Sequence, residues 1–164
     1  MNNLSKYFDV EILRKLDDYD RALVIVNELF KNITDKAGDP YLNHLYYVSN
    51  NLDTKEEKIV GLLHDTIEDT LITFYDLEDV GFNSEVIDAL KLVTKIKGEL
   101  YPDFIDRIIN SGNLIALKVK IKDMENNMDS NRLNKLEEKQ REKLENKYHN
   151  EYKKLIKKLG EIKW

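Results

Sequence analysis

No stretch of this chain alternates apolar and polar residues with period two over a useful length, so half-buried strands have no signature in it. Apolar residues recur instead at helical spacing, and only 6 glycines and 2 prolines interrupt 164 residues. With so few breakers, helices are favoured over hairpins and tight turns. The chain reads as all-α. A hydrophobic fraction of 41% is enough to build a core at a length ordinary for one domain, and no repeat or linker divides it.

The helices can be placed by their stripes and caps. "YDRALVIVNELFKNI" has Leu23, Val26, Leu29 and Phe30 on one face. The loop "TDKAGDP" follows, and Asp39 before Pro40 reads as an N-cap opening "PYLNHLYYVSNNL". Thr54 and Glu57 form a capping-box pattern, which predicts a helix from Lys55 through "LLHDTIEDT". "GFNSEV" is a turn and cap before "EVIDALKLVTK", and "YPDFIDRIIN" and "NLIALKVKIKDMENNM" are helices parted by "SGN". Beyond Asn131 the composition turns to lysine and glutamate, with Leu133, Leu136, Leu144, Tyr148, Tyr152, Leu155 and Leu159 on one stripe. Residues 132–164 are thus expected to form a charged C-terminal helix packed on a single domain spanning 1–164, with a partner helix in a homodimer as the alternative use.

Composition narrows the function. There are no cysteines, which removes thiol catalysis and thiolate metal sites and suits a reducing cytoplasm. The opening "MNNLSKYFDVEIL" lacks a signal-peptide layout, and no apolar run approaches a membrane span. A net charge of -5 argues against a nucleic-acid partner, while a small anionic substrate needs only a local cluster of lysines.

The chemistry gathers in "LLHDTIEDT", residues 62–70. On one continuous helix with His64 at zero, Glu68 falls at about 40°, Asp65 at about 100° and Asp69 at about 140°. Carboxylates that crowded repel one another unless a cation sits among them. His44, at the edge of an apolar face of Tyr41, Leu45 and Val48, and Asp123, beside Leu117, Ile121, Met124 and Met128, are the candidates to complete a ligand set. Two imidazoles and two carboxylates suit a divalent ion such as Mn²⁺, Fe²⁺ or Zn²⁺, leaving Glu68 and Asp69 to orient a water or move its proton. Each piece alone has an ordinary reading: a core-edge histidine, a surface aspartate, an acidic helix end. His149, in the charged tail, reads as surface. The combination, in this order and at these separations, is what points to a metal site.

Taken together, "AGDPYLNHLYYVS", "IVGLLHDTIEDT", "ALKLVTK" and "VKIKDMENNMD" resemble the HD phosphohydrolase superfamily, and more narrowly the (p)ppGpp hydrolase domain of RelA/SpoT-type proteins and their small stand-alone relatives. The resemblance covers roughly residues 20–130, with "HDTIED" its most specific part. It implies an HD-domain helical bundle in which His44, His64, Asp65 and Asp123 bind one Mn²⁺ and Glu68 and Asp69 position and activate the attacking water. Asn127 matches an asparagine facing the nucleotide, and Lys36, Lys95 and Lys122 are candidates to hold phosphates. The implied reaction removes the 3′-pyrophosphate of guanosine tetra- or pentaphosphate. Before the Gly-acid-Pro-Tyr segment the chain departs from that pattern: Phe30 stands in place of a histidine and Asp35 in place of a basic residue, with Lys36 next to it. Hydrolysis of a different nucleotide, and a non-catalytic metal-holding module whose tail engages a partner, are the rival readings.

Overall fold

A computed structural model describes residues 1–162; Lys163 and Trp164, the end of the expected tail, lie outside the described residues. After a short 3₁₀ turn, Asn3–Lys6, come α1 (Val10–Lys15), α2 (Asp18–Leu29), α3 (Tyr41–Asn50), α4 (Lys55–Leu63) and α5 (Thr66–Asp69). Then follow α6 (Phe74–Asp79), α7 (Ser84–Val93), α8 (Tyr101–Ser111), α9 (Leu114–Asn127), α10 (Ser130–Leu133) and α11 (Glu138–Ile162). Among the described residues the only β-type pairing is an isolated bridge between Thr34 and Pro40. The fold is all-α.

Side-chain caps start most of these helices. Asp9, Asp17, Thr54, Thr73, Asn83 and Asn113 each accept a first-turn backbone N–H. Between α8 and α9 the chain reverses at Gly112, whose φ of 64° is left-handed and costs an L side chain energy. Two expected caps differ in detail. Helix α3 begins after Pro40 with no side-chain cap, and Asp39 turns instead to the ammonium of Lys135 at 2.9 Å. Thr54 caps the Glu57 N–H, but Glu57 reaches the backbone of Asp53, at 3.3 Å, and Lys118. Glu57 is buried, and the Lys118 ammonium is what makes a charge tolerable there.

Helix α4 is the axis of the bundle, packed against α2, α3, α7 and α9. Ile59, Val60, Leu62 and Leu63 are all buried along it. At Gly61 it approaches α3 so closely that an added Cβ would meet the Ser49 backbone at 3.2 Å. This contact needs glycine and fixes the α3–α4 spacing. Helix α11 lies on α8 and α9, with Tyr148 and Leu155 buried and Leu144, Tyr152 and Leu159 packed at the edge of the core. The tail stripe therefore docks on the body. A break over residues 134–137 separates α10 from α11 where one long helix was expected.

Candidate metal centre

Helices α3, α4 and α9 pack on one another, and their neighbouring ends bring four side chains together. His44 comes from α3, His64 and Asp65 from the end of α4, and Asp123 from α9. One nitrogen or oxygen from each lies within 4.8 Å of every other. His44 Nε2 stands 2.9 Å from Asp123 Oδ1, and His64 Nε2 stands 3.0 Å from Asp65 Oδ2 and 3.3 Å from Asp123 Oδ1. The set is two imidazole nitrogens and two carboxylate oxygens, buried or nearly so, and this donor chemistry fits a single divalent cation.

The local path of the chain differs from a continuous helix. Helix α4 stops at Leu63, two residues pass through a turn, and α5 restarts at Thr66. His64 closes the first helix by turning Nδ1 onto the Gly61 carbonyl at 2.6 Å, which leaves Nε2 pointing into the cluster. Asp65 sits at the turn and joins His64 instead of lying a wheel-step away. Its carboxylate also accepts the Tyr41 hydroxyl, and the Tyr41 ring stacks on Phe30 at 5.4 Å. Phe30, the residue in place of a histidine, is thus a buried support for a group that touches the cluster.

Charges in the cluster balance one another. Burial opposes a charge on His64, yet Asp65 and Asp123 outweigh it and raise its pKa well above the ordinary histidine value. Burial likewise penalises the Asp123 carboxylate, but Lys120, His44 and His64 hold its pKa well below the usual carboxylate range. Lys120 is itself buried, 2.8 Å from Asp123 Oδ2.

His64, Asp65 and Asp123 of the cluster line a cavity of about 390 Å³. Glu68 and Asp69 stand on its wall, and the Lys95 N–H donates to Glu68 at 2.5 Å. Burial raises the Glu68 pKa; burial with Asp65 and Glu68 nearby raises that of Asp69 to about 6. Lys36, Lys95 and Asn127 also line the cavity, with Asn127 donating to Asp123 at 3.2 Å. Lys122 does not. One residue before Asp123 on a helix, it turns away and pairs with Glu125 at 3.0 Å, and Lys120, one helical turn before Asp123, faces the site instead. The tail supplies Lys147 and Tyr148, with the Lys147 ammonium over the Tyr101 ring at 4.6 Å. Burial and the surrounding Lys120, Lys36, Lys95 and Lys143 lower the Lys147 pKa, the mark of a cationic pocket. His149 is exposed.

Several of these partners have no local mark in the sequence. Arg132 lines the cavity, and its Nη2 pairs with Asp35 at 3.0 Å across 97 residues of chain. Asp35 also accepts the Ala37 and Asp39 N–H groups, so the aspartate that replaces a basic residue organises its own loop.

No protein-family model matches the sequence. A curated relative, a GTP pyrophosphokinase of Myxococcus xanthus, is 41% identical over 85 residues, 49% of this chain. The chain spans only 11% of that protein's length. A solved structure of a metazoan ortholog of SpoT, described as hydrolyzing ppGpp and playing a role in starvation responses, aligns with a TM-score of 0.67. It matches at 21% identity over 90% of this chain and 94% of its own. The likeness read from "HDTIED" thus extends to the whole bundle: the chain is an all-α protein that resembles RelA/SpoT-type proteins and shares the fold of the SpoT ortholog.

Proposed function

We propose that this chain is a metal-dependent hydrolase of guanosine 3′,5′-bis(diphosphate), releasing pyrophosphate and GDP. The observation that carries the reading is the convergence of His44, His64, Asp65 and Asp123, the last three of them lining a lysine-lined cavity. These four residues would hold the cation, for which Mn²⁺ is the ion we infer, in a cytoplasmic enzyme. When bound, it would lower the pKa of a coordinated water and screen the phosphate charge. Glu68 and Asp69, whose pKa values burial raises, take the proton that the attacking water loses and return one to the leaving group. Lys36, Lys95 and Lys147 neutralise the phosphates, and Asn127 faces the nucleotide. The Asp35–Arg132 pair favours a second reading, hydrolysis of a different nucleotide, because it alters the charge of the wall where a lone base was expected.

Turnover of guanosine tetraphosphate beside a panel of nucleoside mono-, di- and triphosphates, with Mn²⁺ present, separates the two. Cleavage of the panel alone removes the guanosine tetraphosphate reading. Glu68→Ala is expected to keep the metal and lose most of the turnover, whereas His64→Ala and Asp123→Ala lose both. Full metal stoichiometry in His64→Ala contradicts the ligand set.

A further inference from the structure

Arg132 takes no part in the metal or proton chemistry above, yet it joins several side chains at the cavity wall. Its Nη1 donates to Asn126 Oδ1 at 2.7 Å and to Asn127 Oδ1 at 3.2 Å, and its Nη2 donates to Asp35. The same Asn126 Oδ1 lies 2.7 Å from His44 Nδ1, and Arg132 Nη1 lies 3.3 Å from that nitrogen, both converging on the one oxygen. His44 and Asn126 are buried, and Asp35 is 6% exposed, so water does not substitute freely for these bonds.

We propose that Arg132, seated by Asp35, is a positioning residue that sets His44 for metal binding through Asn126. An amide presents either an acceptor or a donor, and a guanidinium can only donate. With Arg132 in place, Asn126 must turn its oxygen inward. At 2.7 Å that oxygen is the nearer partner of His44 Nδ1, against 3.3 Å for Arg132 Nη1, and it favours a proton there; Nε2, 2.9 Å from Asp123 Oδ1, is then the nitrogen left to bind a cation. Without Arg132 the amide is free to turn its NH₂ toward His44, which stabilises the tautomer with the proton on Nε2. Asp35 supplies the countercharge that holds the guanidinium at this distance. Metal affinity is thereby tied to the segment after α9, which carries no ligand.

This inference rests on the proposed metal site, and one titration tests them apart. Free Mn²⁺ is followed by electron paramagnetic resonance as it binds the chelator-treated full chain. Wild type is expected to bind one ion; no binding overturns the metal site and this inference together. Removing such an outer partner typically weakens metal binding about 10–100-fold. Arg132→Ala is expected to fall in that range and Asp35→Asn to show a smaller loss. Lys135→Ala removes the neighbouring Lys135–Asp39 ion pair without touching Asn126, and is expected to bind as wild type does. In Asn126→Leu the relay is already cut, so adding Arg132→Ala should cost little more. Wild-type affinity in Arg132→Ala, an equal loss in Lys135→Ala, or additive losses in the double variant would each overturn the proposal while leaving the metal site standing.

Discussion

Lys120 offers the sharpest test of how the centre is balanced. Its ammonium is buried at 2.8 Å from Asp123 Oδ2, under the faces of Tyr101 and Phe104 at 5.4 and 4.9 Å. Burial opposes its charge, but Asp123 outweighs burial and raises the pKa above the ordinary lysine value of 10.5. A lysine whose folded pKa is raised contributes fully below the unfolded value and loses that contribution only as pH rises through the folded one, so at pH 7 the whole pair is in place. Lys120→Met keeps an unbranched apolar stem one atom shorter and removes the charge. Breaking a buried pair from one side costs about 3–5 kcal/mol. Asp123 Oδ1 retains His44, His64 and Asn127 at 2.9, 3.3 and 3.2 Å, which places the loss near the low end, about 3 kcal/mol. For a chain of this size that is a fall in Tm of about 6–12 °C. Thermal melts at pH 7 in chelator should show it. Saturating Mn²⁺ puts a cation back beside Asp123 and removes a like-charge neighbour, so it should stabilise the variant more than wild type and close most of the gap. A fall of under about 2 °C in chelator, or a gap that Mn²⁺ leaves unchanged, would refute this account of the cluster.

Asp69 sets a pH dependence of the same sign, but in the acid range. Its pKa is raised by burial, Asp65 and Glu68 from 3.8 to about 6, so the folded metal-free chain loses stability as pH rises between those values. Asp69→Asn should flatten the Tm–pH profile in chelator over that window, and an unchanged slope would remove Asp69 as its source. Gly61→Ala pushes a Cβ against the Ser49 backbone at 3.2 Å and is expected to cost about 1–3 kcal/mol in urea denaturation. Leu155→Ala empties a fully buried position under α11, for an expected loss of about 2–5 kcal/mol; a loss under 1 kcal/mol would mean that the tail is not anchored there.

Features that depend on neighbours in the chain were legible in the sequence, and features that depend on neighbours in space were not. The stripe from Leu144 to Leu159 gave α11, and the Ser-Gly-Asn run gave the turn at Gly112. Helix α6 carried a readable signal, a Thr73–Asp76 capping box, that the apolar stripe alone does not reveal. At the centre, His64 and Asp65 are adjacent and mark themselves. The break between α4 and α5 has no glycine or proline at it, and arises where His64 folds back on the Gly61 carbonyl while Asp65 is drawn toward Tyr41 and His64. A helical wheel drawn through residues 62–70 therefore places the right residues in the wrong arrangement.

Asp35 shows why a departure from a pattern cannot be priced from one position. Taken alone, an aspartate in place of a base removes one positive charge and adds a negative one, a change that weakens any anion site nearby. With Arg132 at 3.0 Å the two charges cancel, and the guanidinium keeps Nη1 on Asn126 and Asn127 at the cavity wall. The pair then adds no net charge to the wall, and Lys36, Lys95 and Lys147 remain the cations we propose for phosphate. Asp35→Asn alone frees the guanidinium to compete for the phosphate, and KM should fall for the more highly phosphorylated nucleotides. An Asp35→Asn protein with unaltered KM across the nucleotide panel would show that Arg132 faces the metal centre and never the substrate.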